Sequence, residues 1–310
     1  MSQFRIIAKN FSSSSAVQNA IKNVTIIGGG LMGSGIAQVS AQAGQNVILV
    51  DVSSDVLEKA QKSITANLGR VAKKIYKDNP AEGEKFVKDS LAKIKTSTDP
   101  VAASKSADLV VEAIVENLGI KHELFKKLDA AAPPHAILAS NTSSLSINKI
   151  FSVVSRKDKI GGLHFFNPVP VMRLLEVVRG AETSEGTYQT MMAWGKSVGK
   201  TCITCKDTPG FVVNRLLVPY IAEAVRLLER GDASARDIDI AMKLGAGYPM
   251  GPLELADYVG LDTNKFILDG WHQDYPDQPL FNPIPLLNKL VSEGKLGVKS
   301  GEGFYKYEKK

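Results

Sequence analysis

No carboxylate occurs in this chain before Asp51, only two cysteines occur in 310 residues, and no apolar run approaches the length of a membrane span. Each absence excludes something. Crossing a bilayer takes about 20 consecutive apolar residues, so no transmembrane helix is expected. Two cysteines, Cys202 and Cys205, are too few for a disulfide framework. Their C-x-x-C spacing invites a zinc or redox reading, but TCITC reads as a strand, on which positions three apart face opposite ways. A structural zinc would need a second ligand pair, none is evident, and no metal is expected. Repeats and low-complexity stretches are missing as well.

The acid-free opening has its own meaning. Residues 1–22 carry Arg5, Lys9, Lys22 and four consecutive serines at 12–15. Such a basic, Ser-rich leader reads as a mitochondrial transit peptide, which places the mature protein in the matrix; a disordered tail is the plain alternative. The continuous apolar core of a secretory signal is lacking. The net charge of +6 is compatible with nucleic acid, a membrane surface or an anionic small ligand, and does not choose among them.

What is present has the form of an α/β protein. Chains beyond roughly 250–300 residues tend to split their core, so two domains are expected. Residues 24–27 and 46–51 read as buried strands around a glycine turn and a small apolar helix. Next come a helix over 54–78 and a polar helix over 84–95. Strands follow at 108–114, 136–140, 160–166 and 174–178, with a helix over 119–131. After Asp207 the pattern changes, and residues 211–230, 234–244 and 263–271 all read as helices. The expectation is an α/β Rossmann-type N-terminal domain over 23–206, behind the leader at 1–22, plus an all-α C-terminal domain over 207–310.

GGGLMGSG contains G-x-G-x-x-G at Gly28, Gly30 and Gly33. Alone the pattern is weak. Here a strand precedes it, a helix follows, and Asp51 closes the next strand eighteen residues past Gly33. Gly28 permits the tight turn, Gly30 lets the backbone approach a pyrophosphate, and Gly33 lets helix and strand pack closely. Gly29, Leu31 and Met32 complete a helix N-terminus whose N–H groups suit phosphate. A carboxylate at 51 binds ribose hydroxyls and repels a 2′-phosphate, which favours NAD over NADP. FAD is the rival cofactor at this point.

Of four histidines, His122, His135 and His272 have solvated or structural settings, whereas His164 lies in the apolar strand GGLHFF ahead of Asn167-Pro168. Glu176 interrupts another apolar run, LLEVV, where a carboxylate is costly unless paired. If the two strands are neighbours, Glu176 can orient His164 for acid–base work on a substrate hydroxyl. A satisfied core ion pair is the other reading.

Seven segments then carry a resemblance: GGGLMGSGIAQ, DLVVEAIVENLGIK, ASNTSSL, GLHFFNPVPVM, CKDTPGFVVNRLL, AGYPMGPLEL and GEGFYKY. Together, over residues 23–307, they are similar to the L-3-hydroxyacyl-CoA dehydrogenases, nearest the monofunctional mitochondrial members. The resemblance implies oxidation of an acyl-CoA substrate with NAD, in fatty acid β-oxidation. It implies His164 as acid–base residue, Glu176 as its partner, Ser143 near the substrate oxygen or nicotinamide, and Asn214 positioning the thioester. Glu116, Lys121, Asn167 and Lys299 would contact the cofactor. Asn67 stands where related enzymes often carry a serine near CoA. Arg70, Lys73, Lys74 and Lys77, at i, i+3, i+4 and i+7, could share a helix face for the CoA phosphates, with Lys74 the foremost candidate and a solvated face the alternative. The resemblance further implies a homodimer through the C-terminal domain, whose segment GFVVNRLLVPYIAEAVRLL has more apolar positions than one buried face requires. No nucleic-acid partner is expected. The rivals are another NAD-dependent hydroxyacid dehydrogenase and a dehydrogenase-derived binding or structural protein.

Overall fold

The computed structural model of the chain describes residues 21–308. They form two units: the described residues up to 142 with Ile147–Thr204, and Ser143–Ser146 with the residues from Cys205 onward. Of the leader, residues 1–20 lie outside the described residues.

The first unit is organised by its strands. β1 (Asn23–Ile27) runs into Gly28, and α1 (Leu31–Gln42) starts three residues later. β2 (Asn46–Val50), α2 (Ser54–Ile75), α3 (Pro80–Ala92), β3 (Ile94–Ser97), α4 (Pro100–Ser104), β4 (Leu109–Glu112) and α5 (Leu118–Ala131) follow. The unit is completed by β5 (Ile137–Ser140), α6 (Ile147–Ile150), β6 (Ile160–Phe165), β7 (Leu174–Arg179), α7 (Glu185–Ser197) and β8 (Thr201–Lys206), whose last two residues belong with the second unit. The sheet order is β3-β2-β1-β4-β5-β6-β7-β8, parallel from β3 through β6, with β7 antiparallel to β6. The order reverses between β1 and β4, the switch point where open α/β sheets bind ligands beyond the carboxyl ends of their strands.

Alternation sorts the side chains. Val24, Ile26, Leu109 and Val111 pack with Ile36, Leu57 and Ile64 of α1 and α2. Val110 and Glu112 point to the opposite face, as period two requires. α5 lies on that face: its buried residues Lys121, Phe125 and Leu128 follow helical spacing, and Phe125 packs tilted against Phe151 with ring centres 4.5 Å apart. Truncating so buried a phenylalanine to alanine costs about 3–5 kcal/mol.

Several boundaries differ from the sequence reading. α2 ends at Ile75, where the Tyr76 N–H closes on Ala72, so Lys77 lies beyond the helix and the four cations do not share its face. Asn79-Pro80 begins the next helix rather than ending α2: Asn79 Oδ1 accepts from Glu82 N, and Pro80 occupies a first-turn position that needs no donor. Residues 94 and 95 are therefore strand rather than helix, because β3 finds a free edge on β2. α7 escaped the reading, since Gly186 and Thr187 obscure its start; Ser184 caps it at Thr187 N.

The second unit is helical: α8 (Val213–Glu229), α9 (Ala235–Gly245), α10 (Pro252–Val259), α11 (Leu261–Asp274) and α12 (Pro285–Ser292). α10 and α12 are short and begin on proline, and neither had a readable periodicity. Val218, Ile221 and Val225 of α8 pack with Leu253, Leu268 and Trp271. Residues 304–307 are pinned by two buried carboxylates. Asp257 accepts from Phe304 N, Tyr305 N and Tyr307 Oη at 2.9–3.0 Å, and Asp239 accepts from Leu253 N, Glu254 N and Tyr305 Oη at 2.6–3.0 Å. Burial outweighs those donors at Asp257 and pushes its carboxyl above the usual range. Among the described residues, no helix is long and apolar enough to cross a membrane.

Candidate active site

The glycine turn has the shape of a phosphate cradle. Gly28 sits at φ +112°, and a Cβ there would lie 2.4 Å from the Ala113 carbonyl oxygen. A Cβ on Gly33 would lie 1.8 Å from the Gly28 oxygen, so the start of α1 touches the β1 turn through bare backbone. Gly30 has open space where its Cβ would be. It caps α1 without any side-chain hydrogen bond, and no acidic residue occupies the first turn. The N–H groups of this terminus and its positive dipole end suit a pyrophosphate, with the exposed Leu31 beside them. Asp51 is held by Gly29 N on Oδ2 at 2.8 Å and by Ser53 N on Oδ1 at 3.0 Å. The half-buried carboxylate thus has a set orientation just beyond β2. These groups fit a dinucleotide whose adenosine ribose meets Asp51.

His164 and Glu176 are direct partners in the β6–β7 register, and Nδ1 lies 2.7 Å from Glu176 Oε2. His164 is 5% exposed and Glu176 not at all. Phe166 packs on the imidazole with ring centres 4.5 Å apart. The carboxylate fixes the ring's orientation. The segment after His164 is anchored by Lys200, whose buried ammonium donates to the carbonyls of Val169 and Met172. Burial pulls this lysine below its usual range. Asn167 is exposed in the same segment. Phe165 N donates to Asn141 Oδ1 at 2.9 Å, tying β6 to the exit of β5.

Lys121 is placed differently from an open ligand contact. It is 1% exposed, with its ammonium 2.6 Å from Glu112 Oε1 and 3.1 Å from Glu116 Oε2. Glu116 keeps 26% of its side-chain surface and accepts from the Thr142 hydroxyl. The remaining residues lie elsewhere. Ser143 and Asn214 are together in the second unit, where Asn214 Nδ2 donates to the Ser143 carbonyl at 3.3 Å. Lys299, also in that unit, holds Asp262. Asn67 accepts from Arg70 at 3.1 Å on α2, and Lys74 is exposed near that helix's end.

Known proteins match the chain along nearly its whole length. Residues 23–208 match the family model described as 3-hydroxyacyl-CoA dehydrogenase, NAD binding domain, and residues 210–307 match its C-terminal domain. The chain belongs to the 3-hydroxyacyl-CoA dehydrogenase family. It is an NAD-dependent oxidoreductase with a Rossmann-type sheet and a helical C-terminal region. The mitochondrial hydroxyacyl-coenzyme A dehydrogenase of Sus scrofa is 58% identical over 301 residues, 96% of each chain. A probable 3-hydroxybutyryl-CoA dehydrogenase of Bacillus subtilis is 46% identical over 94% of this chain and 99% of its own. The crystal structure of (S)-3-hydroxybutyryl-CoA dehydrogenase from Ralstonia eutropha superposes with a TM-score of 0.88 at 42% identity, covering 94% of this chain and 100% of that one.

Sequence reasoning missed Glu112, Ser140 and Lys200 as members of this edge. Two signals were available: Glu112 interrupts the apolar run LVVEAIV, and Lys121 shares the apolar stripe of Phe125 and Leu128, where a cation demands a buried anion.

Proposed function

We propose that this dehydrogenase oxidises an L-3-hydroxyacyl-CoA to the 3-ketoacyl-CoA in fatty acid β-oxidation. The observation that carries the chemistry is the buried His164–Glu176 pair, 2.7 Å apart across two register-matched strands. Because Glu176 engages Nδ1, Nε2 is the working nitrogen. As the C3–H bond breaks, the substrate O–H proton passes to His164 Nε2 and the carbonyl forms. Glu176 stabilises the resulting imidazolium without taking the proton. When bound, NAD⁺ supplies the acceptor for the hydride. The chain's residues orient it: the 28–33 turn holds the pyrophosphate, Asp51 the adenosine ribose, and Glu116, with Lys121 behind it, the other nucleoside together with Asn167, Ser143 and Lys299. Ser143 and Asn214 place the thioester, and Lys74, with Asn67 nearby, meets the CoA phosphates.

The reading extends to setting. The acid-free leader and the mitochondrial naming of similar proteins support import into the matrix, followed by removal of the leader. Exposed apolar residues on the helical unit, Leu216, Leu244, Tyr258 and Phe266, support a homodimer through that unit. The domains follow as 23–206 for cofactor and 207–310 for substrate and dimer contacts. NADH formation with L-3-hydroxybutyryl-CoA, compared with free 3-hydroxybutyrate, tests the substrate. The thioester should be turned over far faster, and equal rates would remove CoA from the reading.

A further inference from the structure

Glu112 is the last residue of β4, fully buried, and it takes three donors from three separate pieces of chain. Oε1 accepts from Ile114 N at 2.7 Å and Lys121 Nζ at 2.6 Å, and Oε2 accepts from Ser140 Oγ at 2.6 Å. Ser140 Oγ in turn accepts from Thr142 N at 3.1 Å. The Thr142 hydroxyl donates to Glu116, and Lys121 closes the circuit between Glu116 and Glu112. The members come from β4, the turn after it, α5, and the end of β5. Glu116 is the charged member that reaches the surface.

Such a ring is a poor way to gain stability. Desolvating a carboxylate and an ammonium is costly, and apolar residues of similar volume commonly hold a core as well or better. What the ring does achieve is a fixed position for one carboxylate at the carboxyl end of β4. That end lies just past the switch point, on the opposite side of β1 from Asp51. A dinucleotide with its adenosine ribose at Asp51 lays its second nucleoside over this side of the sheet. A side chain already held in its bound geometry does not lose that freedom on binding.

We propose that Glu112 is a positioning residue for NAD: it fixes Lys121 and, through Lys121, pre-orients Glu116 toward the ribose hydroxyls of the nicotinamide nucleoside. The proposal rests on the reading of Glu116 as a cofactor contact. Glu112→Gln keeps the shape and an acceptor oxygen for Ser140 but removes the charge that holds Lys121.

The test uses the full enzyme with NAD⁺ titrated at saturating L-3-hydroxybutyryl-CoA, alongside NADH binding by fluorescence. Glu112→Gln should raise KM for NAD⁺ and Kd for NADH about tenfold, while kcat and the KM for the thioester stay within about twofold. A purely structural role would lower thermal stability and leave the KM for NAD⁺ at the parent value, and that result overturns the proposal. Glu116→Gln separates the two levels. If it leaves the KM for NAD⁺ unchanged, the contact reading itself is lost; if it raises KM while Glu112→Gln does not, only the positioning claim fails. Because Glu112 acts through Glu116, the double variant should bind NAD⁺ no worse than Glu116→Gln alone, and fully additive losses would contradict that route. Should Glu112→Gln not fold, Glu112→Gln with Lys121→Met neutralises both charges and is read by the same KM split.

Discussion

Glu176 and Glu112 are both fully buried carboxylates in the same sheet, and they differ in what they hold. Glu176 faces a histidine across an antiparallel pair of strands, with Nδ1 at 2.7 Å. Glu112 faces a lysine from a helix, a serine hydroxyl and a backbone N–H, all at 2.6–2.7 Å. A histidine is the side chain whose ordinary titration falls near neutral pH, the property that proton traffic requires. A lysine's ordinary titration lies far above neutral pH, which suits it to hold a carboxylate in place. Burial and ion pairing alone therefore do not mark a catalytic group; the proton affinity of the partner decides between traffic and scaffolding.

The largest expected effect lies on the histidine side of the comparison. His164→Gln should lower kcat by about 10²–10⁴-fold, the span of acid–base catalysis, with little change in the KM for NAD⁺. Near-normal turnover would make His164–Glu176 a scaffold pair like Glu112–Lys121 and dissolve the contrast. Asp51 adds a third kind of carboxylate, half-buried and held by two backbone N–H groups. Asp51→Ser should narrow the NAD over NADP preference by about 10²-fold, because like-charge repulsion of a 2′-phosphate is worth several kcal/mol. An unchanged preference would mean that another residue reads the ribose. Glu112→Gln comes next, with its tenfold effect confined to the cofactor.

The smallest effect belongs to a carboxylate with no part in the site. Burial works against the ionisation of Asp129, but Ser155 N at 2.6 Å, Arg156 and the Ser155 hydroxyl outweigh it and hold the carboxyl below its usual range. A depressed folded pKa gives stability that is full above the unfolded value of about 3.9 and lost as pH falls through the folded one. Asp129→Asn should therefore lose about 1–3 kcal/mol at neutral pH, with the deficit shrinking below pH ~4. Urea unfolding at pH 7 and pH 3 checks this, and an equal deficit at both would rule out the ionised hydrogen bonds as its source.

The two halves of the opening comparison were not equally legible. His164 and Glu176 stand out because each interrupts an apolar strand, and a short connection joins those strands. Glu112 interrupts the apolar run LVVEAIV much as Glu176 interrupts LLEVV, but its partner comes from a helix rather than a neighbouring strand, and the misplaced cation at Lys121 was the only hint of which residue that is. β3 was hidden for a related reason: residues 94–97 become strand by pairing with β2 across more than forty intervening residues. Local preference cannot register such a partner.

From its sequence alone, the chain determined the glycine turn, the acid at 51 and the family, because a strand–turn–helix–strand unit acts within about 30 consecutive residues. The order of its elements likewise announced a sheet-based region followed by a helical one. Which carboxylate meets which cation was decided only by tertiary structure. Glu176 reaches His164 through strand register, and Glu112 gathers Lys121 and Ser140 across 9 and 28 residues. A buried charge is tolerated where its partners converge, and that convergence exists only once the sheet and helices have packed.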